Sequence, residues 1–89
     1  MRQGEEMGAK KHKVVVQIFG DNYPLRGDAE PERIMKVAAL LDERMRETAF
    51  SNPRVSTTMV AILTALNIAD EYLRLQTDYQ QLLKMLNDE

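Results

Sequence analysis

From Ser56 to Leu86 the chain carries a helical apolar pattern with two seams, and a chain this short cannot satisfy the second one internally. The run Met59-Val-Ala-Ile-Leu-Thr-Ala-Leu-Asn-Ile-Ala69 is apolar nearly all the way round, as a helix buried on several sides must be. Beyond it the apolar positions narrow to alternating steps of three and four: Ala65, Ile68, Tyr72, Leu75, Tyr79, Leu82 and Leu86. A heptad seam sustained for about three repeats needs a partner helix. Eighty-nine residues make one small domain, so no spare helix is on offer and the expected partner is a second copy of the chain. Tyr72 and Tyr79, at two successive a positions, point to a seam that meets water or more than one partner chain. Glu71 and Asp78 fall at g positions with no basic residue at e, so flanking charge leaves parallel and antiparallel pairing open.

Composition narrows the function classes. Apolar residues are 44% and charged residues 29% of the chain, the balance of a soluble globular protein rather than a disordered one. The absence of cysteine excludes disulfides, thiolate metal sites and cysteine nucleophiles, and fits a cytoplasmic setting. No stretch approaches the roughly 18 to 20 apolar residues of a membrane span, and Met1-Arg-Gln-Gly-Glu-Glu lacks the apolar core of a secretory signal. A formal charge of −2 argues against nucleic acid as the main partner. Its distribution says more. Basic residues beyond the lead-in gather between Arg26 and Arg54, whereas the terminal helix has only Arg74 and Lys84 against five acids. A surface that attracts an acidic partner is therefore expected on the first half.

Residues 1–12 read as a mobile polar lead-in containing Gly4 and Gly8. Residues 13–56 read as a hairpin and helix head, and 57–89 as a long helix whose first half packs on the head and whose second half is a coiled-coil stalk. In Lys13-Val-Val-Val-Gln-Ile-Phe19, a β-branched strand, Val14, Val16 and Ile18 share one face and Val15, Gln17 and Phe19 the other. Gly20-Asp21-Asn22 signals a turn, and Tyr23-Pro24-Leu25-Arg26 a short return strand that Pro24 confines to an edge or to brief pairing. Pro31 suits the first turn of a helix, with Asp28 or Glu30 as capping candidates. Ile34, Val37, Ala38, Leu41 and Met45 then recur at helical spacing until Ser51-Asn52-Pro53 stops them. Ser56 is the natural N-cap of the long helix. Met59, Ile62, Leu66, Ala69 and Leu73, opposite the seam, are expected to floor the head. The fold class is α+β: a small β-hairpin plus helix head followed by a long C-terminal coiled-coil helix, oligomeric.

Catalytic groups are scarce. His12, the single histidine, stands in Lys10-Lys11-His12-Lys13 with no orienting partner in view, and reads as a solvated residue. The acidic pairs Asp42-Glu43 and Asp70-Glu71 occupy adjacent helical positions and diverge, so no metal site is expected, and Gly20 and Gly27 fit no phosphate-binding loop. No enzyme activity, cofactor or small-molecule substrate is expected. Arg33, Lys36, Arg44, Arg46 and Arg54 make an asymmetric charged surface, readable as a solvated face or a partner site. Asn67, a lone amide in an apolar helix half, suggests a hydrogen bond fixing the helix against the head.

Val16-Gln17-Ile18-Phe19-Gly20, the charged amphipathic helix, and Thr64-Ala-Leu-Asn-Ile-Ala-Asp-Glu71 opening the terminal coiled coil resemble the ZapA family, from about Lys13 onward. The resemblance implies a bacterial cell-division protein of the cytoplasm, a small dimer or dimer of dimers, that binds FtsZ, the tubulin-like GTPase, and bundles its filaments into the Z-ring. It implies filament contacts on the head, carried here by Arg33, Lys36, Arg44, Arg46 and Arg54, and subunit joining through the terminal helices. Asp21 departs from the basic residue that follows Ile-Phe-Gly in some relatives. The alternative is a dimeric strand-helix-helix DNA-binding regulator, which needs basic or amide side chains along a strand laid in the major groove. The strand here offers Lys13 and Gln17 among Val, Ile and Phe.

Overall fold

The computed structural model of the chain describes residues 12–88. The expected lead-in therefore lies outside the described residues except for His12, which begins the first strand opposite Gly27. Two antiparallel strands, β1 (His12–Ile18) and β2 (Asp21–Gly27), are followed by helices α1 (Pro31–Ser51) and α2 (Thr57–Asn87).

The hairpin turns one residue earlier than the sequence suggests. Phe19 and Gly20 form a two-residue loop with φ of 52° and 90°, a type I′ turn whose twist matches the strands. Glycine adopts such a φ freely, but a bulky side chain does so at a cost. Here the Phe19 N–H donates to Asp42 Oδ1 at 2.6 Å, across 23 residues of sequence. That contact with α1 places Phe19 in the loop and sends Asp21 and Asn22 into the strand. The return strand is consequently seven residues long and paired throughout with β1, not brief. Pro24 is tolerated because, counting from the Ile18–Asp21 pair that closes the loop, it faces Val15 at a non-hydrogen-bonded place in the ladder.

Pro31 opens α1, and the Glu30 carbonyl accepts from the Arg33 and Ile34 N–H groups at 2.9 and 3.0 Å. The Glu30 side chain makes no cap bond. At the other end the Asn52 N–H bonds the Ala49 carbonyl, and its side-chain amide bonds the Thr48 carbonyl at 2.9 Å. Ser56 caps α2 by accepting the Met59 N–H at 3.1 Å.

The core sits where α1 lies on β1 and meets α2. Among the described residues, the buried apolar side chains are Val16, Ala38, Met45 and Val60. Val14 and Ile18 on β1 and Ile34 and Leu41 on α1 are half-buried. The side of α2 turned toward α1 is Val60 and Thr64, both buried, with Leu63 half-buried beside them. Met59, Ile62, Leu66, Ala69 and Leu73, expected to floor the head, are exposed instead. At about 100° per residue they lie roughly opposite the Val60–Thr64 side, so they cannot touch the head of their own chain. Beyond Ile68 every described residue of α2 is exposed.

Candidate partner-binding and assembly surfaces

The five basic residues singled out by the sequence do not form one patch. Arg33 and Lys36 share the first turns of α1 beside Glu30 and Glu32, and Arg54 lies in the turn after the helix. All three are exposed and make no ion pair with any described residue. Arg46 is exposed too, but its Nε donates to Asp42 Oδ2 at 3.0 Å. Arg44 turns inward: its guanidinium grips the Glu71 carboxylate on α2 with both terminal nitrogens, Nη1 to Oε1 at 3.1 Å, and its Nε stands 3.9 Å from Glu47. This two-pronged bond pulls Glu71 below its ordinary carboxylate range and raises Arg44 further. The sequence pattern assigned Arg44 to a solvent-facing stripe; the tilt of α2 across the end of α1 brings it a partner.

Asp42 is the polar hinge of the head. One carboxylate oxygen takes the Phe19 N–H and the other the Arg46 guanidinium. The Arg46 bond first, and then the Phe19 bond, hold its pKa below the usual aspartate value. A depressed pKa stabilises the fold fully above the unfolded-state value, and that contribution disappears as pH falls through the folded-state value. Thermal unfolding followed while pH is lowered into the acid range should therefore show stability falling from the ordinary carboxylate range downward. Asp42→Asn should flatten part of that fall and leave the part due to Glu71. An unchanged acid limb in Asp42→Asn would show that the carboxylate is not coupled to folding.

Between the C-terminal half of α1 and α2 lies a polar cleft walled by Arg44, Thr48, Asn52, Asn67 and Glu71. The bond expected from Asn67 is made instead by Thr64, which is 1% exposed. The Thr64 hydroxyl donates to Thr48 Oγ1 at 2.9 Å, and the Thr48 hydroxyl in turn donates to the Arg44 carbonyl at 2.9 Å. The Asn67 side chain is exposed and makes no hydrogen bond to another described side chain. Thr64 escaped the sequence reading because a β-branched residue in an apolar run looks like part of that run.

The seam residues Tyr72, Leu75, Tyr79, Leu82 and Leu86 are all exposed in one copy, Leu75 by 68%, and Ile68 is half-buried. A continuous exposed apolar stripe of this kind is a candidate interaction surface. Among the described residues no group of three or more His, Asp or Glu could hold a metal ion, and no helix is long and apolar enough to cross a membrane.

Comparison with known proteins places the chain. The family model described as cell division protein ZapA matches residues 14–89. The chain belongs to the ZapA family. A ZapA from Geobacillus kaustophilus is 40% identical over 82 residues, covering 92% of this chain and 90% of that protein. One from Bacillus anthracis is 37% identical over 73 residues, 82% of each. Among solved structures, a ZapA mutant dimer from Geobacillus stearothermophilus superposes with a TM-score of 0.71 at 37% identity, covering 91% of this chain and 94% of that one. The hairpin, the first helix and the long second helix are thus a ZapA fold.

Proposed function

We propose that this chain is a non-enzymatic cell-division adaptor that binds filaments of the tubulin-like GTPase FtsZ and bundles them laterally, stabilising the Z-ring in the cytoplasm at the division site. Membership of the ZapA family is the observation that carries this reading. It works as a homodimer joined by its long helices and able to pair again into a tetramer. The dimeric relative supports the first step, and the uncovered seam supplies the surface. A symmetric particle with a charged head on each copy offers the same site more than once, which is what cross-linking filaments requires.

The filament contacts fall to Arg33, Lys36, Arg46 and Arg54; Arg44 serves the head through Glu71. The DNA-binding alternative has Lys13 and Arg26 at one end of the hairpin's outer face and Gln17 and Asn22 at the other, with Val15 and Pro24 between them; a formal charge of −2 and membership of the ZapA family weigh against it.

The test is co-sedimentation with nucleotide-assembled FtsZ filaments at low and raised salt, with bundles followed by light scattering. Exposed ion pairs contribute roughly 0.2–1 kcal/mol each and are screened by salt. Pelleting with bundling at low salt, weakened at raised salt, is expected. Arg33→Glu with Lys36→Glu should lower bundling roughly tenfold, two such pairs acting at each of two heads, without changing the oligomer mass. Bundling that survives the double reversal would remove those residues from the site.

A further inference from the structure

The head holds α2 along a single line of side chains. Val60, Thr64 and Glu71 fall within about 40° of one another round the helix at 100° per residue. Val60 and Thr64 are buried, and Glu71 takes the Arg44 guanidinium of α1. Glu71 is the last residue of α2 bonded to α1 among the described residues, and every described residue after it is exposed. About 24 Å of helix follows, from Tyr72 to Asn87. Alongside this line the two helices border a polar cleft of about 490 Å³, so beyond Thr64 the bond that joins them is a charged pair. The charges around that pair keep it single. The Arg44 Nε stands 3.9 Å from Glu47, and Arg74, the other cation beside Glu71, is held by Asp70 at 3.2 Å.

We infer that Arg44 and Glu71 act as a clasp that fixes the angle at which α2 leaves the head, and so the spacing between filaments that these proteins join. The second clause rests on the bundling reading above; the first stands without it. The geometry suits that task better than it suits holding the fold together. Glu71 is half exposed, where an ion pair adds little to stability. A two-pronged bond nevertheless fixes both the distance and the plane of the two groups. Position along the helix supplies leverage. Glu71 lies about 10 Å beyond the Thr48–Thr64 bond, and the end of α2 about 34 Å beyond it. About 1 Å of play at the clasp therefore becomes about 3 Å at Asn87, and each copy passes that change to whatever its long helix joins. Arg44 is then a positioning residue: it touches no filament and acts through Glu71.

The chain contains no cysteine, so spin labels can be placed without interference. Ala39→Cys on the exposed side of α1 and Gln80→Cys on α2 are labelled together. The labelled chains are diluted in excess unlabelled chains with the same residues at 44 and 71, which leaves only distances within one copy. Pulsed electron paramagnetic resonance then reads the spread of head-to-helix distances. Glu71→Gln sets an amide N–H against a guanidinium N–H, and Arg44→Met keeps the side-chain stem without the charge. Each should widen the spread by about 2 Å for each ångström of play at the clasp, and the double variant no further than either alone. Circular dichroism and sedimentation should show helix content and mass unchanged. Mixed with nucleotide-assembled FtsZ, both variants should still pellet, but bundles seen by electron microscopy should lose their regular spacing. A spread unchanged in both variants would overturn the clasp. A wider spread with regularly spaced bundles would overturn its role in spacing. Filaments that the wild-type chain fails to pellet would sink the bundling reading and the role in spacing with it. The clasp would still be decided by the spin-label distances, which need no filament.

Discussion

Leu82→Glu is expected to take the assembly apart while leaving the head folded. Leu82 is a d position of the α2 seam, 53% exposed in a single copy, and no described residue of its own chain packs over that part of the helix. In a paired seam the new carboxylate would be withdrawn from water on both helices. An unpaired buried charge costs several kcal/mol, and each 1.4 kcal/mol is a tenfold change in affinity. Association should weaken by about a hundredfold or more. Sedimentation at micromolar concentration should show the mass falling toward one chain, and far-ultraviolet circular dichroism should still report helix. Leu75→Glu, one heptad step earlier, should do the same. Exposed charge reversals such as Arg54→Glu should not. A mass unchanged by Leu82→Glu would show that the seam is not the interface.

The exposed apolar stripe of α2 was legible in the sequence because it repeats over about three heptads and its residue types are unambiguous. The helix boundaries were legible for a similar reason: Pro31, Asn52 and Ser56 each act within a few residues of their own position, and each does so in the structure. What failed had its cause elsewhere in the chain. The loop was expected at Gly20-Asp21-Asn22 from local turn chemistry, but Asp42, 23 residues away, holds the N–H of Phe19 and moves it forward. No local rule puts a phenylalanine at positive φ. The length of β2 followed from the same shift, since Pro24 lands at a ladder position where its missing N–H is not needed.

The helix α2 shows a different limit. Periodicity identified its apolar sides but not which of them meets the head. Val60 and Thr64 take that place, so the side with a buried hydroxyl is inside and the wholly aliphatic flank is outside. Hydrophobicity alone would rank them the other way. The difference is made by Thr48 on α1, whose hydroxyl accepts the Thr64 proton and removes the penalty of burying it. The charged surface divides likewise. Arg33, Lys36, Arg44, Arg46 and Arg54 are equivalent in sequence, yet two of them are engaged by Glu71 and Asp42 and three face solvent without an ion pair among the described residues. Pairing across helices depends on the crossing of α1 and α2, which a single-helix pattern does not encode.

A core this small makes each of its members count, and Met45 is the largest of its side chains. It is 6% exposed, on the face of α1 that also buries Ala38. Truncating a buried methionine to alanine removes its transfer energy and leaves a cavity, together about 2–5 kcal/mol. For a domain of this size each kcal/mol shifts the melting temperature by roughly 4–8 °C, so Met45→Ala should melt some ~10–30 °C lower. Met45→Leu, which conserves volume, should cost less than about 1.5 kcal/mol. The pair separates packing from any general sensitivity of the helix, because both substitutes are good helix formers. For the homodimer proposed above, wild-type melting should also rise with protein concentration, since association stabilises only the folded state. Scanning calorimetry over a range of concentrations reads both effects. A Met45→Ala loss smaller than about 1 kcal/mol would mean that the head can collapse around the gap, and that its stability lies outside the four apolar side chains buried among the described residues of a single copy.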